Sequence, residues 1–217
     1  MKYIIGNWKA NKNKAQAKAW IGEFLELSLE NFQDKVAIIV CPPYPFLTLA
    51  HKAFKDTPIQ LGSQDISFFH AGSYTGEVAA NTLADLVSYC IIGHSERRRY
   101  FKETDATVAQ KTANVRDFEI EPIVCVRGIS DQIPKNVKIV AYEPVHAIGT
   151  GNNESVKKIL EVKKCLHLDP DTIFIYGGSV IPDNSEEYLG SDEIDGVLLG
   201  GASLDPKKFY KIIKYAL

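Results

Sequence analysis

Short apolar runs alternate with amphipathic ones from one end of this chain to the other. The apolar runs lie at residues 3–7, 36–41, 59–62, 89–93, 122–126, 138–142, 172–176 and 196–199. Most are apolar on both alternating sets of positions. A strand wetted on one face alternates apolar with polar, whereas a strand covered on both faces does not. The pattern therefore predicts parallel strands with helices packed over them. Eight such strands is the number that closes a (β/α)8 barrel.

The amphipathic runs supply the helices. Ala17, Trp20, Ile21, Phe24 and Leu25 recur at three-and-four spacing and make one apolar stripe. Near the C-terminus, Asp205 is a predicted N-cap, Pro206 takes the first helical position, and Phe209, Ile212, Ile213, Ala216 and Leu217 share a face. Further helices are predicted at about 45–55, 78–87, 105–118, 154–166 and 183–188. One connection breaks this rhythm. Only residues 127–136 separate Val126, at the end of the fifth run, from Val137, and Gly128 and Pro134 are among them. A parallel crossover takes roughly 10–12 residues or more, so the fifth helix is expected to be vestigial or absent. No linker, low-complexity tract or charge block divides the chain, which predicts one domain over residues 1–217.

Composition narrows the classes of function. A hydrophobic content of 45% with 24% charged residues suits a soluble globular protein. A net charge of −2 gives no bulk attraction to nucleic acid or an acidic membrane surface. No apolar run approaches the roughly 20 residues that span a bilayer. Asn7 and Lys9 interrupt the apolar start, so it does not read as a secretory leader, and a cytoplasmic location is expected. The cysteines, Cys41, Cys90, Cys125 and Cys165, form no C-x-x-C pair, so zinc and dithiol motifs are absent. Three of them sit in strand-like runs, where a free thiol behaves as a small hydrophobe. No metal site is expected.

In a barrel of parallel strands, catalytic groups gather where strands end and loops begin. The sixth run ends Ala141-Tyr142-Glu143-Pro144 and continues Val145-His146-Ala147-Ile148-Gly149-Thr150-Gly151. Pro144 lacks the N–H that would extend the ladder. A glutamate there, beside a small apolar loop hinged on glycine, suits proton abstraction followed by exclusion of water. The same residues also make an ordinary strand, proline stop and turn. The first run ends Gly6-Asn7-Trp8-Lys9, and Asn7 and Lys9, two apart, leave on one face. Lys9 either serves an anionic ligand or reaches past the rim into solvent. The fourth run ends Ile92-Gly93-His94-Ser95-Glu96-Arg97-Arg98. Ser95 is expected to cap the turn that follows, which puts His94 near a helix N-terminus, where a neutral imidazole is favoured. Such a ring either donates to a developing oxyanion or is a satisfied structural histidine. The arginines 97–99 are flanked by Glu96, Glu103 and Asp105, which points to local ion pairs rather than nucleic acid. The seventh and eighth runs end Tyr176-Gly177-Gly178-Ser179 and Leu199-Gly200-Gly201-Ala202. Paired glycines let backbone N–H groups close on an anion, and the loops after strands seven and eight are this architecture's usual phosphate site.

In this order, Gly6-Asn7-Trp8-Lys9, Ile92-Gly93-His94-Ser95-Glu96-Arg97-Arg98, Tyr142-Glu143-Pro144-Val145, Ala147-Ile148-Gly149-Thr150-Gly151, Tyr176-Gly177-Gly178-Ser179 and Gly200-Gly201 resemble the signature blocks of the triosephosphate isomerase family. They span nearly the whole chain. The resemblance implies a TIM barrel and a cofactor-free interconversion of dihydroxyacetone phosphate and D-glyceraldehyde 3-phosphate through an enediolate, in glycolysis and gluconeogenesis. It implies that Glu143 is the base, that neutral His94 polarises the carbonyl, and that Asn7 adds a donor. Lys9 would offset substrate charge, with Glu96 as the acid beside Lys9 and His94. It places the substrate on Asn7 and Lys9, and its phosphate on Gly149, Ser179, Gly200 and Gly201. Pro144, Val145, His146, Ala147, Ile148, Gly149, Thr150 and Gly151 correspond to the family's lid. Residues 64–77 resemble its protruding third loop, implying a homodimer with Gln64, Asp65 and Thr75 at the interface. Phe68, Phe69 and Tyr74 give that loop an apolar patch unusual on a monomer.

Three places depart from the family pattern. His146 stands at the lid hinge where tryptophan is usual, which implies a looser hinge and a turnover sensitive to pH near histidine values. Cys125-Val126-Arg127-Gly128 replaces a Cys-x-Gly-Glu block, and Asp65 stands where asparagine is usual. Two other readings of the residues stay open. One is an aldolase-like barrel with Lys9 as a Schiff-base nucleophile, which the neighbouring acids disfavour. The other is an idle phosphate-binding scaffold, which would need the glycine loops but not Asn7, Lys9, His94 and Glu143 together.

Overall fold

A computed structural model describes residues 1–29, 32, 34–144 and 153–217. Its eight strands are β1 (Lys2–Asn7), β2 (Val36–Cys41), β3 (Ile59–Ser63), β4 (Tyr89–Ile92), β5 (Glu121–Val126), β6 (Ile139–Tyr142), β7 (Ile173–Tyr176) and β8 (Gly196–Leu199). They pair in sequence order, and β8 returns to β1 to close the barrel. Every pairing is parallel. This is the (β/α)8 TIM barrel.

Closure explains why the strands carry apolar residues on both sides. Ile5, Ile39, Cys41, Ile91, Ile123, Cys125, Ile139, Ala141, Ile175 and Leu198 point inward and fill the barrel. The alternate positions, among them Ile4, Ile38, Val40, Ile92, Val124, Val140 and Phe174, pack outward against the helices. The helices are α1 (Lys14–Leu25), α2 (Leu47–Phe54), α3 (Ser95–Tyr100), α4 (Asp105–Arg116), α5 (Val156–Cys165), α6 (Ser185–Leu189) and α7 (Pro206–Lys214). Asn13 and Gln16 close a reciprocal capping box at the start of α1. Asp205 accepts the N–H groups of Lys207 and Lys208 at the start of α7, with Pro206 at the first position. Trp20, Phe24 and Phe209 then pack together with ring centroids 4.7–6.0 Å apart, sealing α1 and α7 over the barrel. Among the described residues, no helix is long and apolar enough to cross a membrane.

The helix expected at 78–87 does not form. Only Ala80–Thr82 makes a 3-10 turn, and residues 83–86 follow in turns. Thr82 donates its hydroxyl to the Ala79 carbonyl at 2.7 Å, the local side-chain bond by which threonine competes with a helix. Ala80, Leu83 and Val87 still reach the core from this stretch, so their three-and-four spacing reported burial rather than helix.

The connection from β5 to β6, residues 127–138, is built of turns and bends. The fifth helix in chain order is the ten-residue α5, which follows β6. One carboxylate organises the short connection. Asp131 accepts the Arg127 backbone N–H at 2.7 Å, and the Arg127 guanidinium grips both of its oxygens at 2.6–3.2 Å. Burial works against the charged form, but the Arg127 bonds outweigh it and hold the Asp131 carboxyl below its ordinary range. A carboxyl depressed in this way stabilises the fold above its unfolded value, and the gain is lost as pH falls through the folded value. Asp131→Ala is therefore expected to cost about 1.5–3 kcal/mol at neutral pH, the range for hydrogen bonds to a charged group. Urea midpoints of the two proteins should converge in strong acid, and a constant difference at all pH values would disprove this account.

Candidate active site

The inward row of the barrel continues past the strand ends. Alternation carries it from Ile5 to Asn7, from Ile139 and Ala141 to Glu143, from Ile175 to Gly177, and from Leu198 to Gly200. Asn7 and Glu143 are buried at this level. Just beyond β1 the backbone of Lys9 turns left-handed, with φ 52°, a conformation costly for a residue with a Cβ. Three contacts hold it there. Its N–H donates to Asn7 Oδ1 at 2.9 Å, its carbonyl accepts Gln64 Nε2 at 3.0 Å, and its Nζ meets Glu96 Oε1 at 2.5 Å. Gln64 Nε2 also donates to the Cys41 carbonyl at 2.9 Å, tying Lys9 to the end of β2.

His94, not Ser95, caps α3. Its Nδ1 accepts the Glu96 N–H at 3.2 Å, and Ser95 becomes the first helical residue. The correction has a simple cause: the imidazole offers an acceptor one residue earlier, where a side chain reaches the second N–H of the helix. A ring nitrogen that accepts carries no proton, so in the neutral ring the proton sits on Nε2. That nitrogen faces Glu143 Oε1 at 2.9 Å, while Glu143 Oε2 accepts the Ser95 N–H at 2.8 Å. Burial opposes a charged His94, yet the Glu143 carboxylate lifts the ring above its ordinary value. Burial likewise raises Glu143, but His94, the Ser95 N–H and Lys9 together hold its carboxyl below the usual range. The two shifts are mutual. His94 is the stronger base only while the carboxylate stays beside it.

Glu143 also leans on β7. A Cβ on Gly177 would stand 2.8 Å from Glu143 Cγ, so this neighbour must be glycine, and the Gly177 N–H donates to the Tyr142 carbonyl at 2.8 Å. Asn7, Lys9, His94 and Glu143 open onto one cavity of about 580 Å³. This lies within the size range of small-molecule sites. The loops Gly177-Gly178-Ser179 and Gly200-Gly201-Ala202 form its other walls, with Lys208 and Lys211 of α7 at the margin. The structure thus brings Ser179, Gly200 and Gly201 to the same space as the four polar side chains. Glu96 stands behind Lys9, with its second oxygen 3.7 Å from His94 Nδ1. Pro144 is buried next to Glu143, whereas 145–151, with Gly149 and the hinge residue His146, lie outside the described residues.

The third-loop residues divide. Thr75 is exposed beside the stacked rings of Phe69 and Tyr74, whose centroids are 4.1 Å apart. Gln64 holds the Lys9 backbone. Asp65 lies in a buried ion cluster, 2.7 Å from Lys111 and 2.9 Å from Arg97, and both cations also reach Glu103. Sequence reasoning missed the Gln64 clamp, the Ser95 N–H and the two lysines of α7. Only the lysines left a signal: they lie three apart on a helix that starts just after Gly200-Gly201.

Comparison with known proteins bears on this arrangement directly. A model of the family described as triosephosphate isomerase matches residues 2–137 and 127–216. The triosephosphate isomerase of Dictyoglomus turgidum is 39% identical, with 98% of each chain covered. That of Nostoc punctiforme is 38% identical over 99% of this chain and 98% of its own. The first alignment runs to 247 positions against the 217 residues here, so the relative carries extra residues where this chain is short. Similarity of this extent across the whole barrel means that the chain belongs to the triosephosphate isomerase family.

Proposed function

We propose that Glu143 moves the proton in the isomerisation of dihydroxyacetone phosphate to D-glyceraldehyde 3-phosphate, with neutral His94 serving the oxygens. The observation that carries this is the Glu143–His94 contact at 2.9 Å on the floor of the cavity. When a substrate carbon replaces His94 and the Ser95 N–H as the partner of Glu143, the two groups that do most to lower its pKa withdraw, while burial and the weaker pull of Lys9 remain. Its basicity rises at that moment. The carboxylate takes a proton from C1, the C–H pair forms the C1–C2 double bond, and the C2 carbonyl pair moves onto oxygen. His94 Nε2–H donates to that oxygen, and the ring recovers a proton from the C1 hydroxyl. Glu143 then returns its proton to C2, so atoms and charge balance. His94 stays neutral in this exchange, since burial and Lys9, which disfavour its charged form, outweigh Glu96 once the carboxylate has left.

The phosphate sits on the backbone N–H groups of Ser179, Gly200 and Gly201, with Gly149 as a further donor, and Lys9 offsets the charge. Asn7 both fixes the Lys9 backbone and offers its amide to the substrate. Lys9→Met should keep the stem but remove the ammonium. In a coupled isomerase assay it is expected to lose roughly 10²–10³-fold in kcat, the effect of deleting one preorganised electrostatic partner. Rates near wild type would remove Lys9 from the mechanism. The Schiff-base reading is disfavoured, because the Lys9 Nζ is already committed to Glu96.

The same proposal includes a cytoplasmic homodimer. Four free cysteines suit a reducing compartment. Phe68, Phe69 and Tyr74 are each more than 40% exposed on the third loop, which a second copy would cover. A sedimentation run showing a monomer at assay concentrations would overturn that part alone.

A further inference from the structure

Behind the site, on the outer side of β6 and β7, one buried glutamate gathers contacts from four elements, two through its carboxylate and two through its backbone. Glu154 is only 4% exposed. Its Oε2 accepts the Tyr142 hydroxyl at 2.9 Å, and its Oε1 pairs with Lys158 of α5 at 2.9 Å. Its backbone N–H donates to the Tyr176 hydroxyl at 3.1 Å, and its carbonyl accepts the Tyr188 hydroxyl of α6 at 3.2 Å. The rings continue the connection, with centroids 4.8 Å apart for Tyr176–Tyr188 and 6.5 Å for Tyr142–Tyr176.

Position in the chain gives this cluster its meaning. Tyr142 immediately precedes Glu143, and Tyr176 immediately precedes Gly177, the glycine against which Glu143 packs. Alternation sends each tyrosine outward and the next residue inward. Glu154 therefore grips from outside both strand ends between which the carboxylate of Glu143 is held, the end of β6 through its own carboxylate and the end of β7 through its backbone N–H. A buried carboxylate is a costly way to fill space, and an apolar residue of like volume would serve stability as well or better. Positioning of a reacting group, in contrast, rewards such a clamp, since a displacement near 1 Å can cost about 10²-fold in rate.

We propose that Glu154 is a positioning residue for the isomerisation, acting through Tyr142 and Tyr176 on the placement of Glu143. It touches no reacting atom. The inference rests on the reading of Glu143 as the base.

The test uses Glu154→Ala, Glu154→Gln, Tyr142→Phe and the Glu154→Ala/Tyr142→Phe double variant in the coupled assay, with Glu143→Gln as control. Glu154→Ala and Tyr142→Phe should each lower kcat about 10-fold and leave KM within about two-fold, the signature of an interaction expressed in the transition state. Glu154→Gln keeps an oxygen for the Tyr142 hydroxyl and should restore most of the loss. The double variant should be no slower than the slower single one, because both changes break the same bond. Tyr142→Phe changes only one atom, so it keeps the test open if Glu154→Ala fails to fold. Wild-type kcat in Tyr142→Phe, losses that multiply in the double variant, or a Gln variant as slow as the Ala variant would each overturn the proposal. An active Glu143→Gln control would instead overturn the reading of the base. A dead control beside wild-type Glu154 variants would overturn only the positioning role.

Discussion

Glu143→Gln is expected to lower kcat by roughly 10²–10⁴-fold, the range that a positioned general base supplies. The amide has the same shape, so its packing against Gly177 and the substrate's phosphate contacts should persist, leaving KM close to wild type. What disappears is the capacity to take a proton from carbon. A second effect follows from the two donors that Glu143 receives. An amide offers one oxygen where the carboxylate offers two, yet both the Ser95 N–H and His94 Nε2–H must be met. One donor is left facing an NH2 group, at a cost of about 1–3 kcal/mol in stability. Because folding depresses the Glu143 pKa, its contribution exists above the ordinary carboxylate value and is lost as pH falls through the folded one. Urea midpoints of wild type and variant should thus differ at neutral pH and approach each other in strong acid. Comparable rates for the two proteins would sink the assignment of the base, whatever the midpoints show.

The largest expected effect on the fold is at Gly196, where the barrel closes. Gly196 stands opposite Tyr3 in the β8–β1 pairing. A Cβ there would lie 2.0 Å from the Tyr3 carbonyl oxygen and 2.8 Å from its nitrogen, all backbone atoms. Side chains can rotate away from an intruding methyl, but a strand locked in its ladder cannot. Lys2 adds to the lock, with its Nζ donating to the carbonyls of Ser191 and Ile194 at 2.6 Å. Gly196→Ala is expected to cost at least about 3 kcal/mol, the upper part of the range for overpacking, since relief requires the seam to part. Against a total stability of about 5–15 kcal/mol, that shows as a large fall in urea midpoint or in soluble yield. A midpoint within error of wild type would mean that the seam yields more readily than its geometry indicates.

Much of this architecture is legible in the chain because it rests on short-range rules. Strands apolar on both sides announce a buried parallel sheet, and the parity of Ile5 and Asn7, or of Ala141 and Glu143, already states which side chains face the barrel interior. Proline after Glu143 and the paired glycines mark where strands give way to loops. The failures arise where contacts across the fold decide. Periodicity at 78–87 reads as helix until the core takes Ala80, Leu83 and Val87 without one. Serine is the usual cap, and only the placement of the His94 ring shows that it takes the position. Nothing local joins Glu154 to Tyr142, Tyr176 and Tyr188, whose hydroxyls meet only after four elements have assembled. Gln64 reads as a loop residue until the chain brings it under Lys9.

Closure through β1 and β8 also has a consequence for how the molecule is made. The first strand is finished by residue 7 and its last neighbour begins at residue 196. At roughly 5–20 residues per second, a ribosome takes about 10–40 s to deliver one after the other. Throughout that interval the growing sheet has an open edge, with the hydrogen-bonding groups of β1 unmatched on one side and available to other chains. Delivery of β8 completes the barrel and removes that hazard in a single step. A chain stalled before β8 would keep the glutamate, the histidine and the lysine of the site, and would still present the edge by which such fragments associate.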